Sequence, residues 1–388
     1  MKKSYLMLVA SAAIFAACSE TEKIQENLQD NEPAAIGFTS YAEKATRGDA
    51  TLPTNLEYYH TTFAVYGTKQ NKNDNTDIQY VFGGKATAAG AQDGVTCTYQ
   101  TTEDNVLKDW KYDNPRFWDK QADYDFIAYS PVSAKNPIRY YYKDEDAQVG
   151  DNGNWFKTTA AYTLTGTNLQ ATATQAEKIK GFNGAGDLDL MISGTNAQDG
   201  ANHDNFVNLQ FRHILSKLNV KIGQAEALYN SDVTIKEVKL TGFKDQGTYD
   251  QSDYDNTADP KESGWSASTS VNNANYALLY TGNQVLDKGQ NVSAVFQAGD
   301  PYFFIENLVM PQTIADDQVK LTIKYNIKSG TYDEDYTYNL DLYDLAALRK
   351  FYDGYNYYLN ITIEPDVIKF DASVTEWDNQ TVVNKTVQ

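Results

Sequence analysis

The most constraining feature of this 388-residue chain is a set of runs in which apolar side chains recur at every second position. Val319, Leu321, Ile323, Tyr325 and Ile327 all fall on one side of an extended backbone. Successive side chains of a strand point to opposite faces, so such a run fits a half-buried strand and not a helix. The pattern returns at Leu218, Val220 and Ile222, at Tyr357, Leu359, Ile361 and Ile363, and at Ile368, Phe370, Ala372 and Val374. It also occurs near the start, at Ile36, Phe38, Ser40 and Ala42. Further strands are expected over 63–67, 233–240 and 302–310. The 29 Tyr suit pleated, half-buried surfaces, and the many Asn, Asp and Gly suit the turns between them.

Helical signal is confined to Leu342 to Tyr352, where one short helix ending at Gly354 is expected. The polar stretch from Lys143 to Ala185 reads as loops with short edge strands. No repeat of fixed period is visible. The fold expected is all-β, with two β-sandwich-like (transthyretin-like) domains in tandem and little helix. Their spans are 48–212 and 213–388, with the boundary near 200–220.

The chain begins as an exported protein does. Lys2 and Lys3 precede an apolar run from Leu6 to Ala17, and small residues lead into Cys18. Residues 1–17 therefore read as a signal peptide, too short for a membrane-spanning helix, and Cys18 as a lipidation site. Ser19 to Pro33 is almost devoid of apolar residues and reads as a solvated tether. Residues 18–47 would then form a lipidated propeptide that includes the first strand. After that strand, Lys44 to Asp49 is a polar loop in which a trypsin-like protease would cut between Arg47 and Gly48. The other cysteine, Cys97, has no partner once Cys18 is acylated, so the fold must stand on its core.

Chemistry is hard to find. The net charge of −19 excludes nucleic acid as a partner. His60, His203 and His213 lack the spacing of a metal pair, and no nucleophile elbow or phosphate-binding glycine loop occurs. His213 lies in a strand-like run and reads as a hydrogen-bonded structural histidine. The acidic stretch from Asp245 to Glu262 lacks the frame of a calcium loop. No enzyme, cofactor or metal site is expected. Arg47-Gly48-Asp49 spells an integrin-binding tripeptide, a match too short to carry weight. Trp110 to Pro131 is dense in aromatic residues. Phe126, Ile127 and Ala128 form a run with no polar face, so this block reads as a core seam between sheets and not a sugar-binding platform.

Several landmarks, taken in order, resemble the fimbrillin-like family of Bacteroidia, whose members build type V pili. They are Ile36-Gly37-Phe38 followed by Thr46-Arg47, the aromatic block from Trp110 to Pro131, and the run from Leu209 to Leu218. Met310-Pro311-Gln312 and the ending from Gly354 through Val374 and Trp377 complete the order. The resemblance implies export as an outer-membrane lipoprotein and cleavage after Arg47 by an arginine-specific protease. It further implies loss of the strand holding Ile36 and Phe38, with the groove refilled by a strand from a neighbouring subunit. Copies of this chain and related pilus subunits would be its partners at the cell surface. The donor is expected within Ile368 to Gln388, with Ile368, Phe370, Ala372, Val374, Val382 and Val383 as its apolar set. Only eleven residues follow Trp377, which leaves open a tip or anchor role. The alternative is a monomeric surface lipoprotein that binds glycan or another ligand.

Overall fold

Where the alternation is cleanest, the backbone is extended. The computed structural model describes residues 34–42, 56, 60–84, 94–101, 108–135, 138–142, 156–163, 189–194, 196–203, 206–244, 246–250, 263–267, 278–286, 303–366 and 368–376. Among them, every regular element longer than four residues is a strand. The fold is all-β. The first half holds β1 (Gly37–Ala42), β2 (Thr62–Asn71), β3 (Asp74–Phe82), β4 (Val95–Thr101), β5 (Lys108–Lys111) and β6 (Ala122–Ser130). It continues with β7 (Ile138–Tyr142), β8 (Phe156–Thr163), β9 (Met191–Ser193), β10 (Asn196–Asp199) and β11 (Phe206–His213). The second half holds β12 (Ser216–Gln224), β13 (Asp232–Thr241), β14 (Gln246–Asp250), β15 (Trp265–Ala267), β16 (Leu278–Val285) and β17 (Phe303–Val309). Then come β18 (Gln312–Thr313), β19 (Lys320–Ser329), β20 (Tyr332–Asp341), β21 (Lys350–Phe351), β22 (Tyr355–Ile363) and β23 (Ile368–Glu376).

The largest sheet runs β1-β11-β9-β6-β2-β4-β5, with β3 on β2 and β10 on β6. Phe63, Val65, Phe82, Phe126, Leu209 and Phe211 fill its concave side. The rings of Phe63 and Phe211 lie 5.5 Å apart although their strands are not neighbours, so the sheet curls around this core. The run without a polar face is explained by β6, which is covered on both sides. Tyr124, Phe126 and Ala128 face the curl, while Ile127 and Tyr129 join the larger core shared with the second half. In the aromatic block, Trp110, Trp118, Tyr124, Phe126 and Tyr129 are buried, and Phe117 is exposed.

In the second half, the sheets β17-β12-β22-β23 and β16-β13-β19-β20 face each other. Leu218, Val220, Leu359 and Ile361 from one meet Val233, Ile235, Leu321 and Ile323 from the other in one apolar core. Each such side chain contributes roughly 1.5–3 kcal/mol on full burial. Tyr338 and Phe370 close one side of this sandwich with ring centroids 5.2 Å apart. Cys97 is buried in the first core, and burial pushes its thiol pKa up, which keeps it unreactive.

Two expectations need correction. No α-helix forms at 342–352. Two 3-10 turns, Leu342–Asp344 and Ala346–Leu348, stand there, separated by Leu345 in an extended conformation. Asp341 caps the first by accepting from the Tyr343 backbone N–H at 3.0 Å. Leu342, Leu345 and Leu348 are all buried, and their spacing of three is that of a 3-10 turn. The stretch expected to give only edge strands contains β8, which pairs on both sides, with β7 and β14. The sheet β15-β14-β8-β7 thus joins strands from before and after residue 213, and the larger core is likewise continuous across that point.

Candidate functional site

One strand of the curled sheet differs from the rest in how it is held. β1 runs parallel to β11, with Gly37 opposite Phe206 and Phe38 opposite Val207. No parallel neighbour can be reached by a tight turn, so this pairing is made across most of the first half of the chain. Residues 112–118, which follow β5, form a lip on the other side. The Ile36 backbone N–H donates to the Arg116 carbonyl at 2.8 Å, and the Trp118 N–H donates to the Ala34 carbonyl at 3.0 Å. Tyr112 Oη donates to the Ile36 carbonyl at 2.6 Å. Ala35 bridges Phe117. The first strand therefore fills a seam between β11 and this lip, closing the curl.

Inside the seam, Ile36 and Phe38 are each 1% exposed. Phe38 sits among four rings at centroid distances of 5.2–6.1 Å, Phe63, Phe82, Tyr112 and Phe126, all approached edge to face. Such offset geometry is favourable beyond the burial itself. The lip also has contacts that do not involve the first strand. Arg116 lies over Phe82 at 5.2 Å, and it donates from Nε to the Val81 carbonyl at 3.2 Å and from Nη1 to the Asp113 carbonyl at 2.8 Å. Withdrawal of β1 would leave an aromatic-lined slot, an unpaired β11 edge and an unpaired Arg116 carbonyl. An open edge of that kind invites another strand.

A family model described as Fimbrillin-like matches residues 61–377. The chain belongs to the fimbrillin-like family. This is a family of fimbrial proteins, not enzymes. Among solved structures, a fimbrial protein from Bacteroides vulgatus shares 16% identity at a TM-score of 0.51, covering 88% of this chain and 99% of its own. At that identity the likeness supports a shared fold alone. A candidate cell adhesion protein from Bacteroides uniformis has 15% identity and a TM-score of 0.45, over 88% of this chain and 98% of its own. The tip fimbrial protein Mfa3 from Porphyromonas gingivalis, with a C-terminal truncation, has 8% identity and a TM-score of 0.30, over 89% and 100%. No curated protein matches the sequence.

The site residues of this fimbrillin-like chain are distributed unevenly. Ile36 and Phe38 lie together in the seam. Cys18, Arg47, Gly48, Val382 and Val383 lie outside the described residues, as does most of the acidic stretch from 245 to 262. Ile368, Phe370, Ala372 and Val374 are committed to β23, which pairs with β22 from Ile363↔Ile368 to Tyr355↔Glu376. Ile368 and Ala372 are buried in the chain's own sandwich, and Phe370 and Val374 pack against it. These four build the fold of their own subunit.

The run from Leu209 to Leu218 has a second job that the sequence reading did not find. Phe211 faces the curled core, and the chain then crosses into the sandwich. Arg212 Nη2 donates to Tyr249 Oη at 2.8 Å, and His213 Nδ1 pairs with Asp189 Oδ1 at 2.9 Å. His60 Nε2 meets the Asp189 carbonyl at 2.9 Å. Burial alone would raise the Asp189 carboxyl pKa, but the histidines and Lys217 hold it below the usual range. Trp265 Nε1 donates to the Ile214 carbonyl, and Ser216 Oγ donates to the Tyr352 carbonyl at 2.7 Å. The Gly354 N–H donates to the Leu215 carbonyl at 2.9 Å. Gly354 has φ of +72°, and a Cβ there would stand 3.3 Å from the His213 carbonyl oxygen, so glycine is needed. Asp353 beside it is 5% exposed, and its carboxyl is pushed up to about 6 by burial, against the pull of Arg212. The cluster is a structural joint. Its partners Asp189, Tyr249, Trp265 and Asp353 carry no local pattern that would have marked them.

Proposed function

We propose that this chain is a structural subunit of a cell-surface pilus whose first strand is a temporary plug. It is exported as a lipoprotein through Cys18 and held at the outer membrane. An arginine-specific protease cuts between Arg47 and Gly48, β1 leaves with the lipidated segment, and a strand from another subunit enters the seam. Repeated head to tail, a contact of this kind yields a filament and supports adhesion. The observation that carries this reading is the seam itself. A strand whose partners among the described residues are all distant in sequence closes the curl between β11 and a lip that also has bonds of its own. Because β23 belongs to its own sandwich, the donor narrows to residues beyond Glu376, where Val382 and Val383 lie.

Cleaving the full chain at Arg47 and raising its concentration is expected to give a ladder of oligomers on native gels. Arg47→Ala is expected to abolish both the ladder and surface filaments. A cleaved chain that stays monomeric at every concentration, together with intact filaments in the Arg47→Ala strain, would sink the proposal.

A further inference from the structure

The seam holds its occupant as a set of distinct sites, and these sites differ in what they tolerate. The Phe38 site accepts a ring, because four aromatic side chains present edges and faces to it at interplanar angles of 64–84°. A smaller side chain there would leave a cavity that the surrounding sheet is too well packed to close. The Ile36 site lies between the two hydrogen bonds to Arg116 and Tyr112 and is equally buried. Between them, Gly37 points outward under the ring of Phe206. A Cβ added at Gly37 would stand 2.5 Å from Phe206 Cδ1 and 2.8 Å from Cε1. Phe206 is 47% exposed and can swing aside, but only by giving up its cover over β1. Thr39 is exposed and unconstrained.

The third inward site is the odd one. Ser40 is 7% exposed and faces the core opposite Leu209, and its Oγ is buried with no hydrogen-bond partner. A buried hydroxyl without a partner costs free energy that an apolar group in its place would not. The segment from Ile36 into β1 thus fits the seam well at Ile36, Gly37 and Phe38, and poorly at Ser40.

We propose that the seam reads its incoming strand by composition. The code is a large aliphatic residue, then glycine, then an aromatic residue, any residue, and a small apolar residue, run parallel to β11. The segment from Ile36 into β1 satisfies every position but the last, and this mismatch makes it displaceable. The inference rests on the strand-replacement reading above and adds which strand wins. Beyond Glu376 the one aromatic residue is Trp377 at the very start of the segment, and residues 378–388 contain neither an aromatic residue nor a glycine. That segment of a second copy is therefore the weaker occupant, entering at raised concentration, and a strand of a different fimbrial subunit that meets the code is the stronger one.

The test uses the full chain cleaved at Arg47 and labelled peptides spanning residues 34–42, with binding read by fluorescence anisotropy. The Phe38→Ala peptide is expected to bind at least about a hundredfold more weakly than the unaltered one, and the Ser40→Ala peptide about fivefold more tightly. The Gly37→Val peptide is expected to bind about fivefold more weakly, and Phe206→Ala in the protein is expected to restore it. A peptide of residues 378–388 is expected to bind more weakly than the unaltered 34–42 peptide. If all these peptides bind within twofold of one another, the code is overturned while strand replacement stands. If none binds, including the unaltered one, strand replacement and the code fail together.

Discussion

The strands at the two ends of the described chain invite comparison. β1 and β23 both lie at the end of a sheet, and both turn alternate apolar side chains inward. They are held by different means. β23 follows β22 through a short turn and pairs antiparallel along its whole length, so its partner is always at hand. Among the described residues, β1 and the residues just before it have distant partners, β11 on one side and residues 112–118 on the other. A hairpin strand re-forms locally after each opening, since closing a short loop costs little entropy. A strand with only remote partners has no such advantage, and a cut in its single connection makes it a separate ligand. On the proposed reading, one strand belongs to the fold and the other occupies it.

The sharpest way to break that comparison is Phe38→Ala. Emptying the four-ring socket is expected to cost about 3–5 kcal/mol, felt as opening of residues 34–42 and β11 while β22 and β23 keep their protection. Hydrogen exchange followed by mass spectrometry checks it, and equal loss of protection in β1 and β23 would contradict the distinction. Next in size is the joint between the two regions. The Asp353 carboxyl, raised to about 6, favours the folded state in its protonated form. Its contribution, on the order of 2 kcal/mol, is present below about pH 4 and lost as pH rises through 6. Asp353→Asn is expected to flatten that part of the stability profile in denaturant titrations between pH 4 and 7. An unchanged slope would remove Asp353 from the account.

Phe370→Ala tests the other end strand. Phe370 is only partly buried beside Tyr338, so the loss is expected to be about 1–2 kcal/mol. It should appear in the global unfolding midpoint and leave the exchange of residues 34–42 unaltered. Tyr112→Phe is the gentlest probe. It removes the hydrogen bond donated to the Ile36 carbonyl and the one accepted from the Arg116 N–H, and is expected to cost about 1–2 kcal/mol. The effect should be confined to faster cleavage of the amino-terminal segment in limited proteolysis.

Much of this architecture is legible in the sequence. Leu321, Ile323 and Ile327, like Leu359, Ile361 and Ile363, announced their strands because one face is buried and the period is 2. The buried face of Ile36 and Phe38 was legible for the same reason. What alternation does not carry is the identity of the partner. Ile368 to Val374 alternates as well as Ile36 to Ala42 does, and only pairing shows that one run completes its own sandwich while the other plugs a seam. The aromatic socket was hidden because Phe63, Phe82, Tyr112 and Phe126 come from separate segments. The two 3-10 turns at 342–348 were misread since leucines three apart also fit a helix.

The claim that β1 is replaced, and not merely cut, is tested most directly by the composition of assembled material. Filaments formed from the Arg47-cleaved chain can be purified, dissolved and measured by intact mass spectrometry. Subunits that begin at Gly48, with residues 34–42 absent, are the expected result. Recovery of the 34–42 segment in one-to-one ratio with the subunits would mean that the first strand stays in its seam, and the account would be wrong.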